Sequence, residues 1–312
     1  MTANPDVAAP PTVDEIHLLG VPPLATYVDH VTRRSIDDHL VDQSRLIDQW
    51  RTAAQHYLRL LESESGLAEQ ARVAEIPASK TAWVQHIAAQ ADFAEGFNEL
   101  PVAFAMVELD RLVVYQHNVS LTHAKVFSDQ LDDAKTREDA VFSICLPPNP
   151  HPPVILSSRS SGGKFIFQSE LSDVRAFSPR LFTSKTAQSI MTPNGNPPTG
   201  IAIPVGFGSR HLNVVRLGKR MVLNNGYHRA YALRAAGIER VPCVIQAIAH
   251  PEELAFAGGS SLVDNFDDLF KSPRPPLFKD FFDPQLTTRL KLHRTRKQVQ
   301  ISISIETLRV PA

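Results

Sequence analysis

The chain has 312 residues, of which 43% are hydrophobic and 21% charged, and its formal net charge at pH 7 is −1. These values are typical of a globular protein of one large or two ordinary domains, and they argue against a protein that coats nucleic acid through overall charge. No apolar run reaches membrane-spanning length and the first residues lack the basic head of a signal peptide, so no membrane partner and a cytoplasmic location are expected.

The N-terminal third has a helical pattern. Residues 1–12 are rich in Ala and Pro, and we predict that they are disordered. Apolar residues then recur with helical spacing, most clearly over 36–61, where one long amphipathic helix is predicted. Gly66 is a plausible break after this helix. Residues 13–100 are therefore predicted to form a helical module.

The middle of the chain mixes strand, helix and loop signals. A strand is predicted over 104–114 and a helix over 122–140. Residues 154–156 and 164–168 are predicted to pair as a hairpin. We interpret 118–200 as an insertion rich in loops that carries specificity, because loops on a rigid scaffold often do.

The most informative stretch lies between residues 212 and 245. A hairpin pattern over 212–223 leads into a polar turn that ends at Gly226, and Tyr-His-Arg229 and a helix follow at once. A glycine stop and the apolar run 241–245 come next. A helix N-terminus presents unpaired N–H groups, and an adjacent arginine adds donors suited to phosphate. This order predicts an anion-binding site.

These residues carry a resemblance to a known family. The segment Gly226-Tyr-His-Arg-Ala-Tyr-Ala232 resembles the Gly-x-x-Arg-x-x-Ala box of the ParB/sulfiredoxin-like superfamily, roughly over 201–246, with a weaker match at 107–120. The resemblance implies an α/β fold, in which the helical module packs against a small mixed sheet of ParB/sulfiredoxin type with loop insertions. It also implies that 101–250 is a nucleotide-binding domain for ATP or CTP, with Mg²⁺ as cofactor.

The candidate site follows from the box and from a second glycine-containing loop. The residues predicted to bind nucleotide or phosphate are Asn225, Gly226, Tyr227, His228 and Arg229, with Gly208, Ser209 and Arg210 from the second loop. Several of these residues also have a structural alternative. Arg229 could pair with a carboxylate on the helix surface, and His228 could have a structural role. Asn225 could serve only to form the turn, and residues 206–211 could be a turn without a ligand. A cation in the first turn opposes the helix dipole unless an anion is present, which favours phosphate contact by Arg229.

The resemblance also suggests catalytic residues. Glu108 and His228 are the candidates, and a surface charge on a strand is the alternative for Glu108. Sulfiredoxins have their reactive cysteine where this chain has Tyr227, so thiol chemistry is not expected. The two cysteines, Cys145 and Cys243, cannot make a four-thiolate zinc site, and no residue is assigned as a metal ligand.

The C-terminal part is predicted to be an extension over 251–312 that ends in the alternating strand 298–306. Its segment 271–297 has eight Lys or Arg against two Asp or Glu, which indicates a solvated face or a contact with nucleic acid. The expected function is nucleotide binding with hydrolysis or phosphate transfer. A non-catalytic nucleotide sensor and a DNA-associated protein are the alternatives. The identity of the nucleotide and the oligomeric state stay open.

Overall fold

The computed structural model describes residues 12–36, 42–132, 134, 136–148, 155–159, 164–169, 174–176, 180–182, 200–257, 260–295 and 297–304. These residues combine helices with mixed sheets, so the chain has the α/β class that the sequence predicts. None of the helices in this part of the chain is long and apolar enough to cross a membrane.

Helices and strands are interspersed along the chain. The α-helices are α1 (Leu24–Arg34), α2 (Gln43–Ser63), α3 (Thr81–Ala88), α4 (Ala91–Gly96), α5 (Leu121–Asp132), α6 (Arg137–Cys145), α7 (Tyr227–Ala235), α8 (Leu254–Ala257) and α9 (Ser260–Asp264). The strands are β1 (Thr12–Leu18), β2 (Val73–Ala74), β3 (Val102–Glu108), β4 (Asn118–Ser120), β5 (Leu156–Arg159), β6 (Lys164–Ser169), β7 (Arg175–Ala176), β8 (Arg180–Phe182), β9 (Gly200–Ala202), β10 (Val205–Gly206), β11 (Asn213–Leu217), β12 (Arg220–Asn225), β13 (Arg240–Ile248), β14 (Thr287–His293) and β15 (Lys297–Ser302).

Contacts divide the chain into two compact units. The first contains Met1–Pro150 and Ser209–Arg294, and the second contains His151–Gly208 and Thr295–Ala312. The first unit holds a five-stranded sheet in the order β12-β11-β13-β3-β2 and a three-stranded sheet in the order β14-β1-β4. The second unit holds the sheet β15-β6-β5 and the pairs β10-β7 and β8-β9.

The five-stranded sheet carries the segment that leads into the box. Strands β11 and β12 form the predicted hairpin, and β11 pairs in parallel with β13 after the chain has crossed through α7. Strand β3 pairs antiparallel with β13, with Glu108 opposite Arg240. The prediction that the strand at 104–114 shares a sheet with the box is therefore confirmed. The strand ends at Glu108, however, and a 3-10 turn over Leu109–Arg111 follows.

The three-stranded sheet corrects the predicted N-terminal module. Residues Thr12–Leu18 form its middle strand and pair antiparallel with both β14 and β4. The helical prediction is wrong for this segment, because β1 obtains hydrogen bonds on both edges from strands that lie far away in the sequence. The rest of the module is mainly helical, although Val73–Ala74 adds an edge strand to the larger sheet.

Other predicted elements are found with shifted bounds. The long helix predicted over 36–61 is α2, which begins after Asp42, whose side chain accepts a hydrogen bond from the Arg45 amide at 3.2 Å. The helix predicted over 122–140 is divided into α5 and α6. Strands β5 and β6 pair antiparallel as the predicted hairpin, and β15 pairs with β6. Of residues 1–12, predicted to be disordered, residues 1–11 lie outside the described residues and Thr12 is the first residue of β1.

The predicted domain boundaries do not coincide with the two units. The interpreted insertion over 118–200 begins with β4, α5 and α6, whose residues Val119, Ala124 and Ile144 are buried in the core of the first unit. The predicted extension 251–312 is likewise divided, since the chain passes to the second unit after Arg294.

Helix α7 is anchored in the core of the first unit. Its residues Ala230 and Leu233 are fully buried in the same hydrophobic cluster as Val107 of β3 and Val214 of β11. This packing fixes the helix against the sheet and so fixes the position of its first turn.

Candidate functional site

The box lies where strand β12 turns into helix α7. Gly226 takes a left-handed conformation with φ 106°, and the helix begins at Tyr227. The Ala230 amide donates to the Gly226 carbonyl at 2.9 Å. A helix leaves the amides of its first turn without intrahelical acceptors, and Gly226 has no side chain that could cap them. The first turn of α7 therefore has the backbone geometry of an anion site.

Tyr227 has a structural role at this turn. Its hydroxyl donates to the Leu223 carbonyl at 2.9 Å and accepts from the Tyr115 and Gln116 amides at 3.0 Å and 3.3 Å. Burial raises the pKa of the phenol well above its usual value. Tyr227 thus holds residues 115–116 against the end of β12.

Arg229 and Asn225 fix the loop that precedes β11. Arg229 is 9% exposed, and its Nη1 donates to the Arg210 carbonyl and to the Ile144 carbonyl, the latter at 3.4 Å. The Asn225 side chain donates to the Ser209 carbonyl. The structure therefore brings the predicted residues 209, 210, 225 and 229 together, through backbone carbonyls. Gly208 belongs to the second unit.

His228 lies in the first turn of α7, where it is partly buried and packs edge-on against His123 with ring centroids 4.8 Å apart. Burial, with smaller effects from His123 and Arg229, lowers its pKa to about 3, and Glu15 acts in the opposite direction. The imidazole is neutral at pH 7 and has one donor and one acceptor nitrogen.

Glu15 is the centre of a group of side chains that we call the polar cluster, namely Glu15, His17, His30, Arg34 and Asn118. Glu15 Oε2 lies 2.9 Å from His17 Nε2, 3.4 Å from His30 Nε2 and 3.0 Å from Asn118 Nδ2. Glu15 Oε1 lies 2.6 Å from Arg34 Nη2. The cluster joins β1, α1 and β4, and Asn118 stands opposite His17 in the register of the two strands.

The polar cluster carries an ionised carboxylate among imidazoles. Burial acts to raise the pKa of Glu15, but hydrogen bonds from His17, His30, Arg34 and Asn118 outweigh it and hold the pKa well below its usual range. Burial lowers the pKa of His17, against the hydrogen bond to Glu15. Burial also lowers the pKa of His117, with a smaller effect from His17. At neutral pH Glu15 is therefore charged, whereas His17 and His117 are neutral.

Glu108 lies at the other end of α7. It stands opposite Arg240 in the sheet, and the following amide, of Leu109, bonds to the Glu239 carbonyl at 2.9 Å. Its neighbour Asp110 forms a bidentate pair with Arg234 in the last turn, at 2.7 Å and 2.9 Å. The nine residues of α7 span roughly 13 Å. The structure therefore does not bring the two predicted catalytic residues, Glu108 and His228, together.

The basic segment 271–297 is partly neutralised within the fold. Among the described residues of this segment, Lys271 pairs with Asp267, Arg274 with Asp280 and Glu64, and Lys279 with Glu64. Contact of this segment with nucleic acid stays a prediction, and these pairs reduce the positive charge that such a contact needs.

Both cysteines are inert in this environment. Cys145 and Cys243 are buried; burial raises the pKa of the Cys145 thiol to about 12 and raises that of Cys243 well above its usual value. We expect neither to react with iodoacetamide in the folded chain at pH 8, because the thiolate is the nucleophile. Mass spectrometry of the folded and the urea-unfolded chain checks this. Rapid labelling of the folded chain would contradict the prediction, and labelling after unfolding is the control.

Comparison of the chain with protein-family models, with curated proteins and with solved structures gave no match. The likeness of the box to the ParB/sulfiredoxin-like superfamily therefore stays a prediction from the sequence. The function has to be argued from the geometry of the α7 turn and of the polar cluster.

Proposed function

We propose that the chain binds a nucleoside triphosphate, ATP or CTP, with the phosphates at the first turn of α7. The observation that supports this most directly is the left-handed Gly226, which is followed at once by the amides of residues 227–229 and by the His228 imidazole. Gly226 has no side chain that could cap these amides, and the positive end of the helix dipole favours a negative group beside them. The ParB-like box at the same residues supports the choice of a nucleotide.

The contacts around the turn favour a preformed site. Tyr227, Arg229 and Asn225 bond to backbone groups and so hold the turn against residues 115–116 and 209–211. In this proposal the amides, His228 and the exposed side chain of Arg210 contact the phosphates, and Arg229 positions the loop. A site that is already ordered loses little conformational freedom on binding.

The residues near the turn do not fit Mg²⁺. This ion prefers a near-octahedral set of oxygen ligands that includes one or two carboxylates. Glu15, the carboxylate that acts on His228, already bonds to Arg34 and Asn118 and faces two imidazoles. We therefore derive no step through Mg²⁺.

The proposal includes hydrolysis or transfer of the terminal phosphate. His228 is the candidate base in the first turn: its lowered pKa makes it a weak base in the free chain, and the negative charge of bound phosphates would raise that pKa and so favour proton transfer from an attacking hydroxyl. A non-catalytic nucleotide sensor is the second candidate. A sensor is favoured because Glu108 lies at the far end of α7 and because the Glu15 carboxylate already accepts hydrogen bonds.

Thermal unfolding of the full chain tests binding. A nucleoside triphosphate at about 100 times its dissociation constant is expected to stabilise the chain by about 2.7 kcal/mol. His228→Ala is expected to weaken binding by about 1 kcal/mol, the usual net value of one hydrogen bond. The exposed His86 on α3 offers a matched control, and His86→Ala should bind like the unchanged chain.

The outcomes separate the two candidates. Phosphate release that depends on His228 supports the enzyme, and stabilisation without release supports the sensor. If ATP, CTP, GTP and UTP all leave the unfolding temperature unchanged, with and without Mg²⁺, the chain does not bind nucleotide at this turn and the proposal is rejected.

A further inference from the structure

Three potential metal ligands converge in the polar cluster. Glu15, His17 and His30 each offer one ligand atom, a carboxylate oxygen or a ring nitrogen, and these three atoms lie within 4.8 Å of one another. Bonds of about 2.0–2.1 Å to a tetrahedral Zn²⁺ separate two ligand atoms by roughly 3.3 Å. Glu15 Oε2 lies 3.4 Å from His30 Nε2 and 2.9 Å from His17 Nε2, so small side-chain adjustments suffice.

The three ligands come from rigid elements. Glu15 and His17 are two residues apart on β1, so both side chains lie on one face of a strand that is paired on both edges. His30 comes from α1, whose residues Tyr27 and Val31 are buried. The ligand atoms are thus held close together by the fold itself.

His30 Nε2 lies between a donor and the Glu15 carboxylate. It is 3.0 Å from Arg34 Nη1 and 3.4 Å from Glu15 Oε2. With its proton on Nε2, His30 donates to Glu15, and with its proton on Nδ1 it accepts from Arg34 through the Nε2 lone pair. In the second tautomer a cation between Nε2 and Oε2 would replace the repulsion of two acceptors by two attractive contacts.

A buried hydroxyl beside the cluster has no hydrogen-bond partner among the described residues. Tyr27 is 3% exposed, and no described residue forms a hydrogen bond with its hydroxyl. Its ring centroid is 6.4 Å from that of His17. A water molecule in the open position of a bound metal ion would offer a hydrogen-bonding group in this region.

We propose that Glu15, His17 and His30 bind a divalent transition-metal ion of the Zn²⁺ type. Two imidazoles and one carboxylate are a ligand set typical of zinc and of other transition metals, and a poor set for Mg²⁺. On binding, neutral His17 moves its proton from Nε2 to Nδ1, and His30 exchanges its hydrogen bond with Arg34 for the metal. The inference does not depend on the nucleotide.

Arg34 and Asn118 have a supporting role in this site. Arg34 Nε and Nη2 donate to the His293 carbonyl at 3.2 Å and 3.1 Å, so the guanidinium stays in place when Nη1 leaves His30. Its Nη2 keeps the contact with Glu15 Oε1, and Asn118 donates to Oε2. Hydrogen bonds of this kind orient a carboxylate ligand.

Metal titration of the full chain, without a histidine tag and without nucleotide, tests the inference. The chain is stripped with EDTA, dialysed and titrated with Zn²⁺ by calorimetry and with Co²⁺ by visible absorption. We expect about one ion per chain and the absorption bands of tetrahedral Co²⁺. His30→Gln, at a side chain that is 32% exposed, and His17→Gln should each weaken binding by at least roughly tenfold.

The control is His86→Gln, which changes an exposed histidine of α3 and should leave the affinity unchanged. Circular dichroism confirms that each variant is folded, and His30→Gln is the decisive one because its side chain is partly exposed. If the unchanged chain binds neither Zn²⁺ nor Co²⁺, or if His30→Gln binds as tightly as the control, the cluster is a structural ion-pair network only. Because nucleotide is absent, this result leaves the proposed nucleotide site untouched.

Discussion

Replacement of Arg274 by methionine is expected to destabilise the chain by about 3–5 kcal/mol. Arg274 is fully buried at 0% exposure and donates to both carboxylate oxygens of Asp280 at 2.6 Å, and Asp280 is itself 2% exposed. Methionine fills much of the same volume but leaves the Asp280 charge in the core without its partner. Urea unfolding monitored by circular dichroism measures the loss in the free energy of unfolding.

The control for this prediction is an exposed ion pair. Arg51 lies 3.5 Å from Asp48, and their side chains are 67% and 74% exposed, so Arg51→Met should cost less than about 0.5 kcal/mol. Adding Asp280→Asn to Arg274→Met should recover part of the loss, because it removes the buried charge. If Arg274→Met and Arg51→Met are equally stable, the buried pair of Arg274 and Asp280 does not contribute to stability as predicted.

The network around Arg274 shows why the composition of a segment does not reveal its role. The sequence alone presents 271–297 as a basic stretch, and nucleic-acid contact is one of its two readings. In the fold, Arg274 and Lys279 both pair with Glu64 at the end of α2, far away in the sequence. Partners of this kind depend on the tertiary structure, so the local charge count overstates the positive surface.

The sequence predicts the surroundings of the box well because their signals are local. A two-residue turn around Gly218 defines the hairpin of β11 and β12, and Gly226 marks the start of α7. The apolar run after the helix is β13, in parallel register with β11. Each of these elements is specified by turn residues and periodicity within about ten positions of itself.

The polar cluster was missed because its strand depends on distant partners. Residues 12–18 follow a Pro-rich start and precede a helical stretch, and Glu15 and His17 do not look like core residues. Both are buried because β1 lies between β14 and β4. The available signal was the spacing of Glu15, His17 and His30, which places two potential ligands on one face of a strand.

Glu108 illustrates the limit of carrying a role over by resemblance. Its place on β3, in the sheet of the box, is confirmed, yet the strand runs antiparallel to β13 and ends beside the C-terminal turn of α7. The direction of β3 relative to the helix decides which end its carboxylate reaches. A short motif in the sequence contains no information on that direction.

Gly226→Ala is expected to destabilise the chain by about 2–5 kcal/mol and to remove triphosphate binding. Gly226 has φ 106°, a conformation that costs a residue with a side chain about 1–2 kcal/mol or more. A Cβ atom would lie 2.9 Å from Cγ of Leu212 and 3.2 Å from its Cβ and Cδ1. Leu212 is fully buried at 0% exposure, so overpacking adds about 1–3 kcal/mol.

Gly218→Ala separates backbone strain from the role of the box. Gly218 also has a positive φ, of 60°, but a Cβ atom there meets nothing within 4 Å. This variant should lose only about 1–2 kcal/mol and should retain nucleotide binding, because it changes the hairpin turn and leaves the first turn of α7 unaltered. Urea unfolding and calorimetric titration with ATP and CTP measure both effects. If Gly226→Ala is folded and binds nucleotide as tightly as Gly218→Ala, the phosphates do not lie at the first turn of α7, because the added Cβ requires Leu212 or the start of the helix to shift.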